Sequence, residues 1–215
     1  MRKLAMPLLL AFLAACSAMP ETADLVSDAP EGQRYITTFP DSATYAQALQ
    51  LWRTPEALNA WIGAKFHYDA TRAMLLSENQ RAKSGPQPIY SPQEFFATPS
   101  GVCVDLSRFA VETLRQTNPE LNAKYLMIEF APVTVGGNTL RMHWLASFTR
   151  DGNHYFFADS KRPGHIAGPY ASVQEFIAEY SAYRSRSVVA FRELESYQRR
   201  QRTMAQKRSR EELRP

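Results

Sequence analysis

Cysteine is nearly missing from this chain: of 215 residues only Cys16 and Cys103 are cysteines, too few for a domain stapled by disulfides. Long apolar stretches are missing as well. The most apolar one, Leu4 to Ala15, is broken by Pro7 and too short to span a bilayer as a stable helix. There is no internal repeat, no low-complexity tract and no acidic loop of EF-hand type. His154 and His165 lack metal-ligand spacing and a thiol cluster, so neither calcium nor zinc has a signature. One-signed charge is also absent from the body of the chain. The net charge of +4 comes from Arg2 and Lys3 and from residues 196–215, where seven basic residues face Glu211 and Glu212. Residues 4–195 are therefore mildly acidic and offer no nucleic-acid face. What remains, 45% apolar, 12% aromatic and 21% charged, suffices for one globular domain and excludes a disordered chain.

Residues 1–16, MRKLAMPLLLAFLAAC, join a basic start to the apolar run and read as a secretory signal peptide. The ending Leu13-Ala14-Ala15-Cys16 resembles the lipobox of bacterial lipoproteins, whose cysteine is acylated and becomes the new N-terminus. The resemblance implies a signal peptide over 1–15 and a lipid anchor on Cys16, and so a place in the bacterial cell envelope. Ser17, by likeness to Gram-negative lipoproteins, implies the outer membrane, facing the periplasm. Several acyl chains anchor stably, because each buried methylene contributes about 0.8 kcal/mol. Residues 16–40 read as anchor and flexible tether, 41–195 as the domain, and 196–215 as a basic, solvated tail. Acylation of Cys16 leaves Cys103 as a lone thiol in an oxidising compartment. Such a thiol is a buried small hydrophobe, half of an intermolecular disulfide, or a nucleophile.

Asp41 or Ser42 can cap a helix over 43–51, and Thr54-Pro55 opens a long helix whose buried face holds Leu58, Trp61, Ile62, Phe66 and Ala73. His67 and Asp69 on that helix read as a solvated face. Residues 77–90 read as a loop, and Ser91-Pro92-Gln93-Glu94 as a capping box for a short helix through Phe96. Gly101-Val102-Cys103 then opens a helix with Leu106, Phe109, Ala110 and Leu114 on its apolar stripe, ended by Asn118-Pro119. Cys103 falls in its first turn. There the unsatisfied N–H groups and the positive dipole end lower a thiol pKa from about 8.5. Asp105 suits that same dipole.

Downstream the apolar period shortens to that of strands over 124–130, 140–149 and 153–159. If Thr149 and Asn153 flank a three-residue loop, Arg150-Asp151-Gly152, then His143 falls directly opposite Asp159. Opposed Cβ atoms lie about 4.5 to 5.5 Å apart, within reach of an imidazole–carboxylate contact. A slip of one residue would put the two on opposite faces. Ser172 and Glu175 form a further capping box before Phe176, Ile177 and Tyr180 at core spacing, and 187–194 reads as a strand closing the sheet.

A helix-start cysteine, then His143-Trp144 on a strand, then Phe157-Ala158-Asp159 at the end of the next, resembles the transglutaminase-like superfamily of papain-related folds over residues 54–165. The resemblance implies an α+β fold with helices packed on an antiparallel sheet and a nucleophile at a helix N-terminus. It implies a triad of Cys103 as thiolate, His143 as base and acid, and Asp159 as the group that orients the imidazole. Cleavage of a peptide or isopeptide amide through a thioester follows, with no cofactor and no metal. The substrate is a peptide or protein of the envelope, and the membrane is met through the lipid anchor. The oxyanion would be held by the Cys103 N–H and one further donor, for which Gln87, Tyr90 and Gln93 stand at the right place in the chain. Trp144 would shield the ion pair or serve as core, and Arg162 could orient an acidic substrate. Alternatives are an amine-accepting crosslinker, a noncatalytic binding module, and a cell-wall hydrolase of the Asp-Cys-Ser-Gly type, whose motif this chain lacks.

Overall fold

The computed structural model describes residue 39 and residues 41–198. The expected signal peptide 1–15, Cys16, nearly all of the 16–40 tether and the basic tail beyond Gln198 lie outside the described residues. In chain order come α1 (Tyr45–Leu51), α2 (Pro55–Lys65), β1 (His67–Tyr68), α3 (Ala70–Leu75), α4 (Glu78–Ser84), α5 (Pro92–Ala97), β2 (Ser100–Gly101) and α6 (Cys103–Thr117). A 3-10 turn (Pro119–Leu121) leads to β3 (Lys124–Val135), β4 (Asn138–Arg150), β5 (Asn153–Phe157), β6 (Ala167–Tyr170), α7 (Val173–Tyr183) and β7 (Val188–Leu194). Among these residues no helix is long and apolar enough to cross a membrane.

The larger sheet runs β6-β5-β4-β3-β7, antiparallel throughout, and both of its faces are covered. Strand alternation explains why. Tyr125 of β3, Ala146 and Phe148 of β4 and Phe157 of β5 share a core with α1, α2, α5 and α6. Leu126, Ile128 and Phe130 of β3, Leu145 of β4 and Phe156 of β5 pack instead with Phe176, Ile177 and Tyr180 of α7. On the first face Trp52, Trp61, Phe95, Phe96 and Phe109 form a continuous aromatic cluster, with Trp61 stacked on Phe96 at 5.3 Å. Truncating one such ring to alanine costs about 3–5 kcal/mol. This cluster anchors α6, and with it the position of Cys103.

Local chemistry accounts for the helix ends. Thr44 caps α1 through Gln47 N–H, in place of the expected Asp41 or Ser42, and Thr54 caps α2 with Pro55 at its first position. The Ser91–Glu94 capping box is present at α5, and Ser172 caps α7. Three expectations need correcting. The long helix stops at Lys65: His67 and Tyr68 pair in parallel with Ser100 and Gly101, and Asp69 caps a separate α3 through Arg72 N–H at 2.9 Å. His67 and Asp69 are thus a bridge residue and a helix cap, with no shared helical face. Residues 77–90 contain a helix, α4, held by partners distant in sequence. Asn79 bonds Gly137 O and Thr139 N–H at the tip of the β3–β4 hairpin, and Ser77 bonds Asn138.

The third correction is the register. Arg150 pairs with Asn153 across a two-residue turn, Asp151-Gly152, with φ of 53° and 77°. This is the primed turn type that matches strand twist, one residue shorter than the expected loop. β5 therefore ends with Phe157 opposite Ala146, and Asp159 is not the strand partner of His143.

Candidate active site

The turn that presents Cys103 is built on Asp105. Cys103 is the first residue of α6 and is buried, and Val102 at the cap position has no side-chain acceptor to offer. The carboxylate of Asp105, two residues into the helix, reaches back to accept the Val102 N–H at 3.1 Å. Asp105 also accepts the Tyr90 N–H at 3.1 Å and two bonds from Arg72, both 2.7 Å. Asp105 is wholly buried, and four donors satisfy a charge that would otherwise be costly there. On the other side of the turn the Gly101 carbonyl accepts the Asp69 N–H at 2.9 Å, fixing β2 against the start of α3. The Gly-x-Cys motif is thereby clamped from both sides.

His143 and Asp159 meet at a gap in the sheet. Since β5 ends opposite Ala146, β4 from 138 to 145 has no β5 neighbour, and His143 sits on this open stretch. The chain leaves β5 through two consecutive residues with positive φ, Ala158 at 57° and Asp159 at 81°. Ala158 belongs to the core beneath α6, whereas the next residue, Asp159, brings Oδ2 to 4.0 Å from His143 Nε2. Both side chains are buried. The two layers of the domain thus meet at this edge. His143 has the parity of Leu145 and faces α7, where its ring stacks on Tyr180 at 5.8 Å and the Tyr180 hydroxyl lies 2.9 Å from Nε2. At 4.0 Å the carboxylate is at ion-pair distance and beyond hydrogen-bond reach.

The Tyr90 N–H is engaged by Asp105, and its ring carries the Arg72 guanidinium at 3.8 Å. Gln93 lies on α5 in a groove shared with Tyr45, Leu49 and Gln116. Trp144 faces the side opposite His143 and meets Tyr125 edge-on at 6.4 Å, half-buried against the core beneath α6. His165 Nδ1 lies 3.2 Å from Ser160 Oγ; burial first, then Lys161 and Arg162, hold its pKa below the usual 6.5. Among the described residues no group of three or more His, Cys, Asp or Glu is arranged to hold a metal ion.

Residues 47–191 match the profile of a family described as a transglutaminase-like domain, well over half of the chain. The chain belongs to the transglutaminase-like domain family. No curated protein gives a match. Within the transglutaminase-like domain the order Cys103, His143, Asp159 spans helix start, open strand and post-strand turn. Two residues that matter to this arrangement were not singled out in the sequence. Arg72 lies on what reads as a continuing helix, where a surface arginine is the ordinary expectation. Tyr180 reads only as an apolar-stripe residue of α7, and nothing local marks its hydroxyl. A buried tyrosine that must satisfy its O–H was the one available signal.

Proposed function

We propose that this protein is an envelope-anchored cysteine hydrolase that cleaves peptide or isopeptide amide bonds through a thioester on Cys103. His143 takes the thiol proton, and the thiolate adds to the amide carbonyl. The C–N bond then breaks as the leaving amine receives that proton from His143. Water, deprotonated by His143, opens the thioester and releases a carboxylic acid and the free thiol. Asp159 stabilises the imidazolium. The Cys103 N–H, in the first turn of α6, suits one arm of an oxyanion site. The observation that carries this reading is the buried His143–Asp159 pair, 4.0 Å apart, at the open edge of the sheet in a family member whose Cys103 starts α6. Acylation of Cys16 would hold the domain at the outer membrane, facing the periplasm.

The test is alkylation of Cys103 by iodoacetamide across pH, in the wild type and in His143→Ala. The expected result is rapid labelling below neutral pH that is lost in the variant. A thiol that titrates near the free value of about 8.5 in both proteins overturns the enzyme and favours a noncatalytic binding module. Incorporation of labelled palmitate, abolished by Cys16→Ser, tests the anchor separately.

A further inference from the structure

Tyr180 is wholly buried on α7 between Phe176, stacked at 5.2 Å, and the His143 ring. Its hydroxyl lies 2.9 Å from His143 Nε2 and 3.4 Å from the Asp159 main-chain oxygen. The Asp159 carboxylate stands further off, with Oδ2 4.0 Å from the same ring nitrogen. Hydrogen-bond geometry separates the two: the phenol is within bonding distance and the carboxylate is not. Two facts give the contact a direction. A carbonyl oxygen can only accept, so the Asp159 oxygen draws the single phenolic proton and leaves the phenol's lone pairs toward Nε2. The carboxylate beside Nε2 favours a proton on that nitrogen over a lone pair.

We propose that the Tyr180 hydroxyl is the direct partner that holds neutral His143 as its Nε2–H tautomer and so leaves Nδ1 as the basic nitrogen. The claim rests on reading His143 as the general base. Tyr180 is a positioning residue, acting through the imidazole, and Asp159 acts at one remove. Its main chain accepts the phenolic proton, while its side chain supplies charge. The segment after Asp159 is tied to the same helix, since Lys161 pairs with Glu179 at 2.6 Å and the Tyr183 hydroxyl donates to Lys161 O at 3.2 Å. α7 therefore carries both the hydroxyl and the anchorage of the turn that holds Asp159.

Nitrogen NMR of the histidine rings separates this from a direct carboxylate–imidazole pair. In 15N-histidine-labelled protein, with His67→Gln, His154→Gln and His165→Gln used for assignment, neutral His143 is expected to show the Nε2–H pattern. Tyr180→Phe keeps the ring and its stacking but should give a mixture of tautomers, whereas Asp159→Asn should retain Nε2–H. The iodoacetamide rate near neutral pH should fall about tenfold in Tyr180→Phe, the scale of one hydrogen bond to a charged group. An Nδ1–H pattern in the wild type overturns the proposal even if the variant does not fold. An unchanged Nε2–H pattern in Tyr180→Phe overturns it as well. The failure of the enzymatic reading would look different: wild-type Cys103 would label at the free-thiol rate whatever tautomer His143 holds.

Discussion

Arg72 grips Asp105 with two parallel hydrogen bonds, Nε to Oδ2 and Nη2 to Oδ1, each 2.7 Å, with the two side chains 11% and 0% exposed. A third Arg72 bond to Pro88 O at 2.7 Å joins α3, the segment before α5 and the turn before Cys103 into one polar unit. Removing one partner leaves a buried charge, so Arg72→Met is expected to lose about 3–5 kcal/mol in urea unfolding. Arg72→Lys should not restore it, because an ammonium cannot make the bidentate fork. Arg72→Met combined with Asp105→Asn should lose less than Arg72→Met alone. A loss below about 1 kcal/mol in Arg72→Met would show that this pair does not hold the turn.

Two glycines near the site are expected to resist alanine for steric reasons. Gly63, inside α2, would place a Cβ 2.8 Å from the Gly164 Cα, in the loop that follows Asp159. Helix propensity favours alanine there by about 1 kcal/mol, so the two effects have opposite signs. Contact with backbone cannot be relieved by a rotamer change, and Gly63→Ala should destabilise by about 1–3 kcal/mol in thermal unfolding. A stabilised variant would mean that the loop gives way freely. At Gly101 the same addition meets Asp105 Cβ and Oδ2, both at 3.0 Å, so Gly101→Ala should slow Cys103 labelling by disturbing the Asp105 clamp.

The β4–β5 turn sets where Asp159 emerges. Asp151 holds φ of 53°, a left-handed conformation that alanine adopts at a cost of about 1–2 kcal/mol and asparagine at little. Asp151→Ala should therefore lower the denaturation midpoint, while Asp151→Asn leaves it in place. Equal effects of the two would argue against the primed turn.

Much of the candidate site's local framework was legible in the sequence because its marks are local. A Gly-x-Cys before an apolar stripe, capping residues at α2, α5 and α7, and strand alternation each depend on residues a few positions apart. Elsewhere partners distant in sequence decide the structure. α4 has little apolar stripe and owes its place to bonds from Asn79 and Ser77 to the β3–β4 hairpin. The helix expected to run on from α2 is interrupted because His67 finds the Pro99 carbonyl and Tyr68 pairs with Gly101. The expected closeness of His143 and Asp159 is observed, by a different route. A two-residue turn shifts the register, and positive φ at Ala158 and Asp159 carries the carboxylate to the histidine after the strand has ended.

That post-strand segment should be sensitive to acid through His165. Burial, followed by Lys161 and Arg162, depresses the pKa of its imidazole from 6.5. The folded protein thus keeps His165 neutral at pH values where the unfolded chain already binds a proton. Stability from this group is fully present above the unfolded value of 6.5 and declines as pH falls through the lower folded value. Ser160, the residue after Asp159, bonds His165 through both Nδ1 and the main-chain oxygen, each at 3.2 Å, so the loss should be felt beside the site. Replacing His165 with asparagine removes the titration. Thermal unfolding followed between about pH 7 and 5 should show a shallower fall in the variant than in the wild type. Equal slopes would place the acid sensitivity elsewhere in the protein, and a steeper slope in the variant would reverse the sign argued for His165.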